Sequence, residues 1–305
     1  MSFDTVSGSV FIKPNMGESA DLVLRKTPFL GAFNQMGRMV QAQGSAPFKW
    51  PVYTAANSTA GLHTESESIS TYGNQTASEA SLPVVAFKVT AQLSGHMRAN
   101  LKAGGLYGDA WQEELDKAQQ DLYKYAEDSF CGSSTNVGIQ SIIDSTGAYA
   151  GINASTVSTW ASTEQAVVSG AIYDAMNTVE AALLPYASSA DLVLFAHPTA
   201  IRLFQKNAAL SGSASVVSAP GGGPIDLGNF PGSATFNGHP VIPVPSLPIN
   251  EIYFIDMSDA SIEVLQNIEP RALGATNNDD KVLMTMFAAL KIKTRNKHGK
   301  VTGIS

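Results

Sequence analysis

A thirty-residue stretch of small and polar residues separates two strand-like segments early in the chain. Before it, Phe48, Trp50 and Val52 alternate with Lys49 and a proline, and residues 85–93 repeat the same two-residue period after it, as half-buried strands do. The stretch between them is rich in Ser, Thr, Ala, Asn and Glu and has no apolar stripe. Loops of this length inside compact domains are uncommon and tend to be functional.

If the flanking strands pair, residues 53–82 form an extended two-stranded loop. About fifteen residues on each side, at roughly 3.3 Å per residue, would reach about 50 Å from the body. The alternative is an irregular surface insertion. An extended loop needs stabilising partners beyond its own side chains, so the first interpretation predicts contacts with other copies of the molecule.

A long helix follows the second strand. From Trp111 to Phe130 apolar residues recur every three to five positions, with charged residues on the other sides, which predicts an amphipathic helix over residues 109–130. At 1.5 Å per residue this helix is a rod of about 33 Å. Residues 133–223 then contain only seven charged residues, and a surface so poor in charge favours contact with neighbouring chains.

The second half of the chain mixes helices and strands. Ser162 and Gln165 have the spacing of a capping box and predict a helix start, and residues 192–195 form a short apolar run typical of a buried strand. Asn237-Gly238 predicts a tight β-hairpin. Further strands are predicted at residues 252–255, 262–265, 282–294 and 301–304. The class is α+β, without a βαβ rhythm or a repeat of 20 to 50 residues.

The sequence lacks the motifs of the common enzyme chemistries. It has no glycine-rich loop ending in Lys-Ser or Lys-Thr and no Gly-x-Ser-x-Gly elbow. Its one cysteine, Cys131, has no histidine nearby, and the five histidines stand far apart without the spacing of metal ligands. We therefore predict no catalytic residue, no cofactor and no metal site. A hydrolase that uses an Asp–His pair is the enzymatic alternative.

Charge and hydropathy exclude further classes of function. The 19 basic and 26 acidic residues give a formal net charge of −7, which argues against a surface built to neutralise phosphates. Any contact with DNA is expected to be sparse and non-specific. The apolar runs are far shorter than the roughly 20 residues of a membrane-spanning helix, so no membrane partner is expected, and a single cysteine fits the reducing cytoplasm.

One charge pattern stands out. Basic residues alternate towards the end of the last long predicted strand, and residues that alternate share one face of a strand. The extended loop carries acidic residues and has no Lys or Arg from residue 51 to residue 87. The basic residues are Lys291, Lys293 and Arg295, and the acidic residues are Glu65, Glu67 and Glu79. The basic face is either a solvated surface, a nucleic-acid contact or a cradle for the acidic loop.

The order of these parts resembles the major capsid proteins of tailed bacteriophages, which have the Hong Kong ninety-seven-like fold. The resemblance is most specific in Asn-Gly-His-Pro-Val-Ile-Pro-Val-Pro-Ser-Leu-Pro at residues 237–248 and includes Phe-Ala-Ala-Leu-Lys at residues 287–291. It implies an α+β phage major capsid fold in four parts. They are an N-terminal arm (1–46), an extended two-stranded loop with its stem strands (47–94), a peripheral domain with a spine helix (95–150 and 271–305, helix 109–130) and an axial domain (151–270).

The resemblance also implies a function. The chain would assemble into hexamers and pentamers of an icosahedral virion shell around double-stranded DNA, formed in the host cytoplasm with a portal. Only about 45 residues precede the loop, so a separate scaffolding protein is expected unless a longer precursor is cleaved. The loop tip has no lysine, so no isopeptide link is expected, and the acidic loop would contact the basic strand of a neighbour. A shell of the encapsulin type, which stores cargo enzymes, is the alternative.

Overall fold

The computed structural model describes residues 2–3, 26–62, 65, 72–103, 107–210, 234–274 and 279–305. The helices of this part are α1 (Pro28–Gln35), α2 (Gly95–Ala103), α3 (Tyr107–Phe130), α4 (Ile139–Ile142), α5 (Ile172–Leu183) and α6 (Pro198–Leu210). The first strands are β1 (Ser2–Phe3), β2 (Met39–Gln41), β3 (Phe48–Ala55), β4 (Thr76–Leu82), β5 (Val85–Leu93), β6 (Ala148–Tyr149), β7 (Ile152–Asn153) and β8 (Thr163–Ala166). The later strands are β9 (Leu192–Ala196), β10 (Ala234–Phe236), β11 (His239–Pro243), β12 (Ile252–Asp256), β13 (Ala260–Leu273), β14 (Asp280–Ile292) and β15 (Gly299–Thr302).

Two mixed sheets form the body. One has the strand order β1-β5-β14-β13-β2, and the other has the order β10-β11-β9-β12-β15-β8. In the first sheet the long strands β13 and β14 pair antiparallel, and β14 also pairs antiparallel with β5. The predicted α+β class is confirmed, and each sheet contains both parallel and antiparallel neighbours.

Helix α3 packs along β5 and confirms the helix predicted over residues 109–130, with a start two residues earlier. Its buried residues Ala118, Leu122, Ala126 and Phe130 recur at every fourth position, so they form one stripe along the helix. The ring of Phe130 meets Phe87 of β5 edge-on at 5.4 Å between centroids. This stripe holds the helix against the five-stranded sheet.

The six-stranded sheet is covered on both faces. In β9 and β12, Leu194 and Phe254 belong to the core formed with α5 and α6. Phe195 and Tyr253 point to the other side and belong to the larger core, which includes α1 and the five-stranded sheet. A strand buried on both faces has a continuous apolar sequence, and this explains why residues 192–195 showed no alternation.

The extended loop begins as a separate two-stranded hairpin. The prediction that the strand starting at Phe48 pairs with residues 85–93 is wrong, because β3 pairs with β4 and β5 pairs with β14. In β4, Ala80 and Leu82 are buried while Glu79 is exposed. This alternation makes β4 a strand, but its small and polar residues concealed the pattern in the sequence.

Other predictions were confirmed or corrected locally. Asn237 and Gly238 both have positive φ angles, 47° and 88°, as a tight hairpin turn between β10 and β11 requires. The helix start predicted at Ser162 is wrong: β8 occupies residues 163–166, and the Ser162 hydroxyl donates to the carbonyl of Arg295 at 2.9 Å. That hydroxyl is therefore used in a tertiary contact instead of a helix cap.

The chain crosses between the two sheets near the predicted boundary between the peripheral and axial domains, from β12 to β13 and again from β14 to β15. Strand β13, which begins at Ala260, lies in the five-stranded sheet, whereas β15 pairs with β12 and β8 in the six-stranded sheet. The turn at residues 293–298 therefore carries the chain from one sheet to the other. This turn becomes important for the surface described below.

A buried carboxylate joins α1 to α3. Oε2 of Glu127 accepts the backbone N–H groups of Phe29 and Leu30 at 3.1 and 3.2 Å, where the free amides of a helix N-terminus favour negative charge. Its Oε1 has no hydrogen-bond partner in the described part of the chain. Burial raises the pKa of Glu127 to about 7, although both N–H contacts act in the opposite direction.

Glu127→Gln is expected to remove a pH dependence of stability. The folded-state pKa of about 7 lies above the ordinary value of 4.5, so between these values the folded protein binds more protons than the unfolded chain. The free energy of unfolding should therefore fall as pH rises through this window, by up to about 3 kcal/mol, and become constant above it. Gln keeps an acceptor for both N–H groups but does not ionise.

Urea unfolding at about pH 5 and about pH 8 measures this difference. Asp121→Asn, which neutralises an exposed acid on the same helix, serves as the control and should keep the wild-type slope. An unchanged slope in Glu127→Gln would contradict the assignment.

Candidate assembly surface

The base of the hairpin is fixed to the body through Trp50. Its Nε1 donates to the backbone carbonyl of Lys293 at 3.1 Å, and its ring lies 6.5 Å from the ring of Tyr149. Tyr149 stacks in turn on Trp160, with 6.2 Å between centroids and an interplanar angle of 13°. Three aromatic rings therefore form a column that runs from the hairpin into the core.

Charged and backbone groups complete the base. Nζ of Lys291 lies 5.2 Å from the centroid of the Trp50 ring, a cation–π distance, and the same Nζ is 2.7 Å from a carboxylate oxygen of Glu263. On the other strand, the N–H of Ser81 donates to the carbonyl of Ala150 at 2.8 Å. Both strands of the hairpin are thus attached where they leave the body.

Further along, the hairpin exposes large apolar side chains. Tyr53 is 68% exposed, Leu62 is 101% exposed and Tyr72 is 85% exposed. Lys49 and Glu79 form an ion pair at 2.7 Å across the two strands, beside a shallow groove of about 280 Å³. Three large exposed apolar side chains thus belong to the hairpin and its loop, and a group of this kind favours an interaction surface.

The acidic residues predicted to make intersubunit contacts have different surroundings. Glu65 is exposed, whereas Glu79 already pairs with Lys49 of its own hairpin. Glu67 lies outside the described residues. Of the acidic side chains that the structure describes in the loop, Glu65 is therefore the better placed to meet a second chain.

The three basic residues do not form the predicted continuous face. Strand β14 ends at Ile292, so only Lys291 lies on it, and this lysine is paired with Glu263. Lys293 follows the strand and is exposed. The expectation that Arg295 belongs to a surface cradle is wrong, because this side chain is 0% exposed.

Arg295 instead organises a loop of its own chain. Its Nε donates to the carbonyl of Ile142 at 2.6 Å, and its terminal nitrogens donate to the carbonyls of Ser141, Thr146 and Gly147 at 2.9 to 3.3 Å. Burial lowers the pKa of Arg295, with the charge of nearby Asp144 acting against that shift. The planar fork of arginine suits several acceptors at once, and the sequence carries no signal that separates this role from a surface charge.

A second buried group holds the same turn. Oδ2 of Asp259 accepts the N–H of Thr294 at 2.6 Å and lies 3.4 Å from Nε2 of His298. Burial alone would raise the pKa of Asp259, but the contacts with His298 and Thr294 hold it below its ordinary value. The backbone N–H of Asp256 donates to Nδ1 of His298 at 3.2 Å. His298 is therefore a hydrogen-bonded core histidine.

The described residues offer no group of three or more His, Cys, Asp or Glu side chains that could hold a metal ion. Among the helices of the same residues, none is both long and apolar enough to cross a membrane. The features of this surface are an anchored base, exposed apolar side chains and local ion pairs. Such a surface can bind another protein chain.

Solved structures with a similar fold include two capsids and an encapsulin. The capsid asymmetric unit of cyanophage A-1(L) is 16% identical, with 96% of each chain covered and a TM-score of 0.68. The capsid of a native GTA particle is 12% identical, covering 99% of this chain and 98% of that one, with a TM-score of 0.65. The holo-SrpI encapsulin complex from Synechococcus elongatus PCC 7942 is 12% identical, covering 100% and 98%, with a TM-score of 0.64. No curated protein matches the sequence.

The chain thus has the fold of these capsid and encapsulin subunits. The phage-like resemblance and the Hong Kong ninety-seven-like fold predicted from the sequence are confirmed. The family model described as SU10 major capsid protein matches residues 20–305, so the chain belongs to the SU10 major capsid protein family. Its role is structural, as a capsid protein of the tailed-phage type.

Arg295→Lys is expected to lower the free energy of unfolding by about 2 kcal/mol or more, because lysine keeps the charge but leaves buried carbonyls without donors. Lys293→Ala, two residues away and exposed, should change it by less than about 0.5 kcal/mol. Urea unfolding measures both variants. Equal stabilities would show that the four carbonyl contacts of Arg295 contribute little.

Proposed function

We propose that many copies of this chain assemble into hexamers and pentamers of an icosahedral shell that encloses double-stranded DNA. The observation that carries the proposal is the hairpin, which is anchored to the body and exposes Tyr53, Leu62 and Tyr72 on itself and its loop. Membership of a major capsid protein family supports the same conclusion. In the shell, these side chains lie against a neighbouring copy.

The remaining partners follow from this assembly. A separate scaffolding protein and a portal take part, and the shell forms in the host cytoplasm before it becomes the capsid of the virion. Contact with the enclosed DNA is sparse and non-specific, since the net charge is −7 and a strongly basic lining would hinder DNA packing and release. The chain acts through contacts between its copies and not through catalysis.

An ion pair between chains is part of the proposal. Lys293 is the exposed member of the basic group and Glu65 is an exposed acid of the loop, so Glu65 of one copy pairs with Lys293 of the next. An exposed ion pair contributes only about 0 to 1 kcal/mol. Because a closed shell repeats each contact in every copy, such a small term still affects how firmly the shell holds together.

Shortening the hairpin is expected to abolish shells. Replacing residues 56–75 by a two-residue Asn-Gly turn keeps β3 and β4 together but removes Leu62 and Tyr72. The variant should remain folded by circular dichroism and run as free subunits or capsomers in light scattering, whereas the full chain gives closed particles in negative stain. Closed particles formed by the shortened chain would overturn the role given to the hairpin.

Lys293→Glu is expected to lower the temperature at which shells fall apart, and the double variant Glu65→Lys/Lys293→Glu should restore part of the loss by reversing the pair. Differential scanning fluorimetry on purified particles measures this temperature, and higher salt should reduce the differences. Lys88→Glu, at an exposed position on β5, controls for the change in net charge. If the double variant is no better than the single one, the two residues do not pair.

A shell of the encapsulin type is the second candidate, and the similarity to the encapsulin fold supports it. The two differ in their contents. Particles purified from infected or expressing cells should contain nuclease-protected DNA in the first case and co-purifying cargo enzyme in the second. The match to a phage capsid family favours the first.

A further inference from the structure

We propose that Trp50 is a positioning residue that fixes the angle at which the β3–β4 hairpin leaves the body, and that this angle sets the curvature of the shell. The part concerning curvature rests on the proposed function, whereas the angle is a property of the single chain. Nothing in the sequence pattern alone assigned Trp50 this role.

The contacts of Trp50 restrain rotation about the base. Its N–H group is held by the carbonyl of Lys293 at 3.1 Å, on one side of the indole. The ring contacts Tyr149 on another side, at 6.5 Å between centroids, and carries the Nζ of Lys291 at 5.2 Å from its centroid. A hydrogen bond, an aromatic neighbour and a cation together define both the position and the tilt of the indole.

The partners of Trp50 are themselves fixed. Tyr149 is buried, and its hydroxyl accepts the N–H of Ile292 at 2.8 Å. Lys291 is held by Glu263 at 2.7 Å. The carbonyl of Lys293 lies in the turn whose next N–H, from Thr294, is bound by Asp259 at 2.6 Å. The indole is therefore attached to the end of β14 and to the core, and not to a mobile surface.

The length of the hairpin amplifies a small change at this base. Strand β3 has eight residues, which at roughly 3.3 Å each extend about 26 Å from Phe48 to Ala55. A rotation of about ten degrees at the base would move Ala55 by about 4.5 Å, close to the spacing of neighbouring strands in a sheet, and would break the hydrogen bond that the Thr159 hydroxyl donates to the carbonyl of Thr54 at 3.0 Å. A displacement of that size changes which residues of the next subunit the hairpin meets.

The substitutions Trp50→Phe and Trp50→Leu distinguish the contribution of the aromatic ring from that of the N–H group. Phenylalanine loses the donor but keeps a ring beside Tyr149 and beneath Lys291, and these two remaining restraints should preserve the angle, whereas leucine removes all three. Val52→Ala is the matched control, because Val52 is another partly buried residue of β3 that packs on the core. It lowers stability without touching the aromatic column.

The angle is measured in dissociated subunits. Nitroxide labels at Ala77→Cys on the hairpin and Lys88→Cys on the body, both exposed, report the distance by pulsed electron resonance, while Cys131 is buried and stays native. We expect one narrow distance distribution for wild type, Trp50→Phe and Val52→Ala, and loss of that single distribution in Trp50→Leu. A narrow, unshifted distribution in Trp50→Leu would overturn the positioning role.

Particle diameters from electron microscopy of the unlabelled variants test the curvature. Trp50→Leu should give mixed diameters or open sheets where wild type and Val52→Ala give one diameter. One uniform diameter in Trp50→Leu, together with a broadened distance distribution, would overturn the link to curvature alone. If wild type forms no shell at all, the proposed function fails, while the distance measurement still decides the role of Trp50.

Discussion

The buried guanidinium of Arg295 holds together the region on which the rest of the structure depends. Four backbone carbonyls surround it, two at the end of α4 and two in the segment between α4 and β6. The turn that contains Arg295 joins β14 of one sheet to β15 of the other. Fixing this turn therefore fixes the relative position of both sheets, and it also places the carbonyl of Lys293 that binds Trp50.

A buried charge without a carboxylate in direct contact is costly unless every donor is satisfied. Here backbone carbonyls of residues 141–147 accept hydrogen bonds from all three guanidinium nitrogens of Arg295. The charge therefore favours the backbone arrangement that supplies these carbonyls. The hairpin then begins from a rigid platform. In the proposed shell, rigidity at the base would let the same hairpin geometry recur in every copy.

Much of the fold followed from residue patterns. The period of α3, the turn at Asn237-Gly238 and the apolar run of β9 each have a local physical cause, so the sequence predicted them. The sequence did not predict that β3 pairs with β4. Strand β4 consists mostly of Ser, Ala and Thr, and its buried face is only two residues, Ala80 and Leu82. Strand pairing depends on distant residues, and composition alone does not reveal it.

The candidate surface was harder to predict than the fold for the same reason. The identity of a basic residue does not show whether its side chain is solvated, paired or buried. Lys291 and Arg295 differ from Lys293 only through Glu263 and the carbonyls of residues 141–147, which the tertiary structure brings close. The alternation of charges was real, but the strand that would have aligned them ends at Ile292.

Ion pairs and apolar burial would contribute different amounts of free energy to contacts between subunits. Glu79 and Lys291 are neutralised within the chain, and an exposed ion pair contributes about 0 to 1 kcal/mol. Burying an aromatic side chain such as Tyr53 or Tyr72 removes about 150 to 250 Å² from water, at about 25 cal/mol per Å², which is several times larger. In the proposed shell, apolar contact would therefore provide most of the adhesion between subunits. Under the same proposal, the charges would select the register of that contact, and the angle fixed by Trp50 would determine where the apolar side chains reach the neighbour.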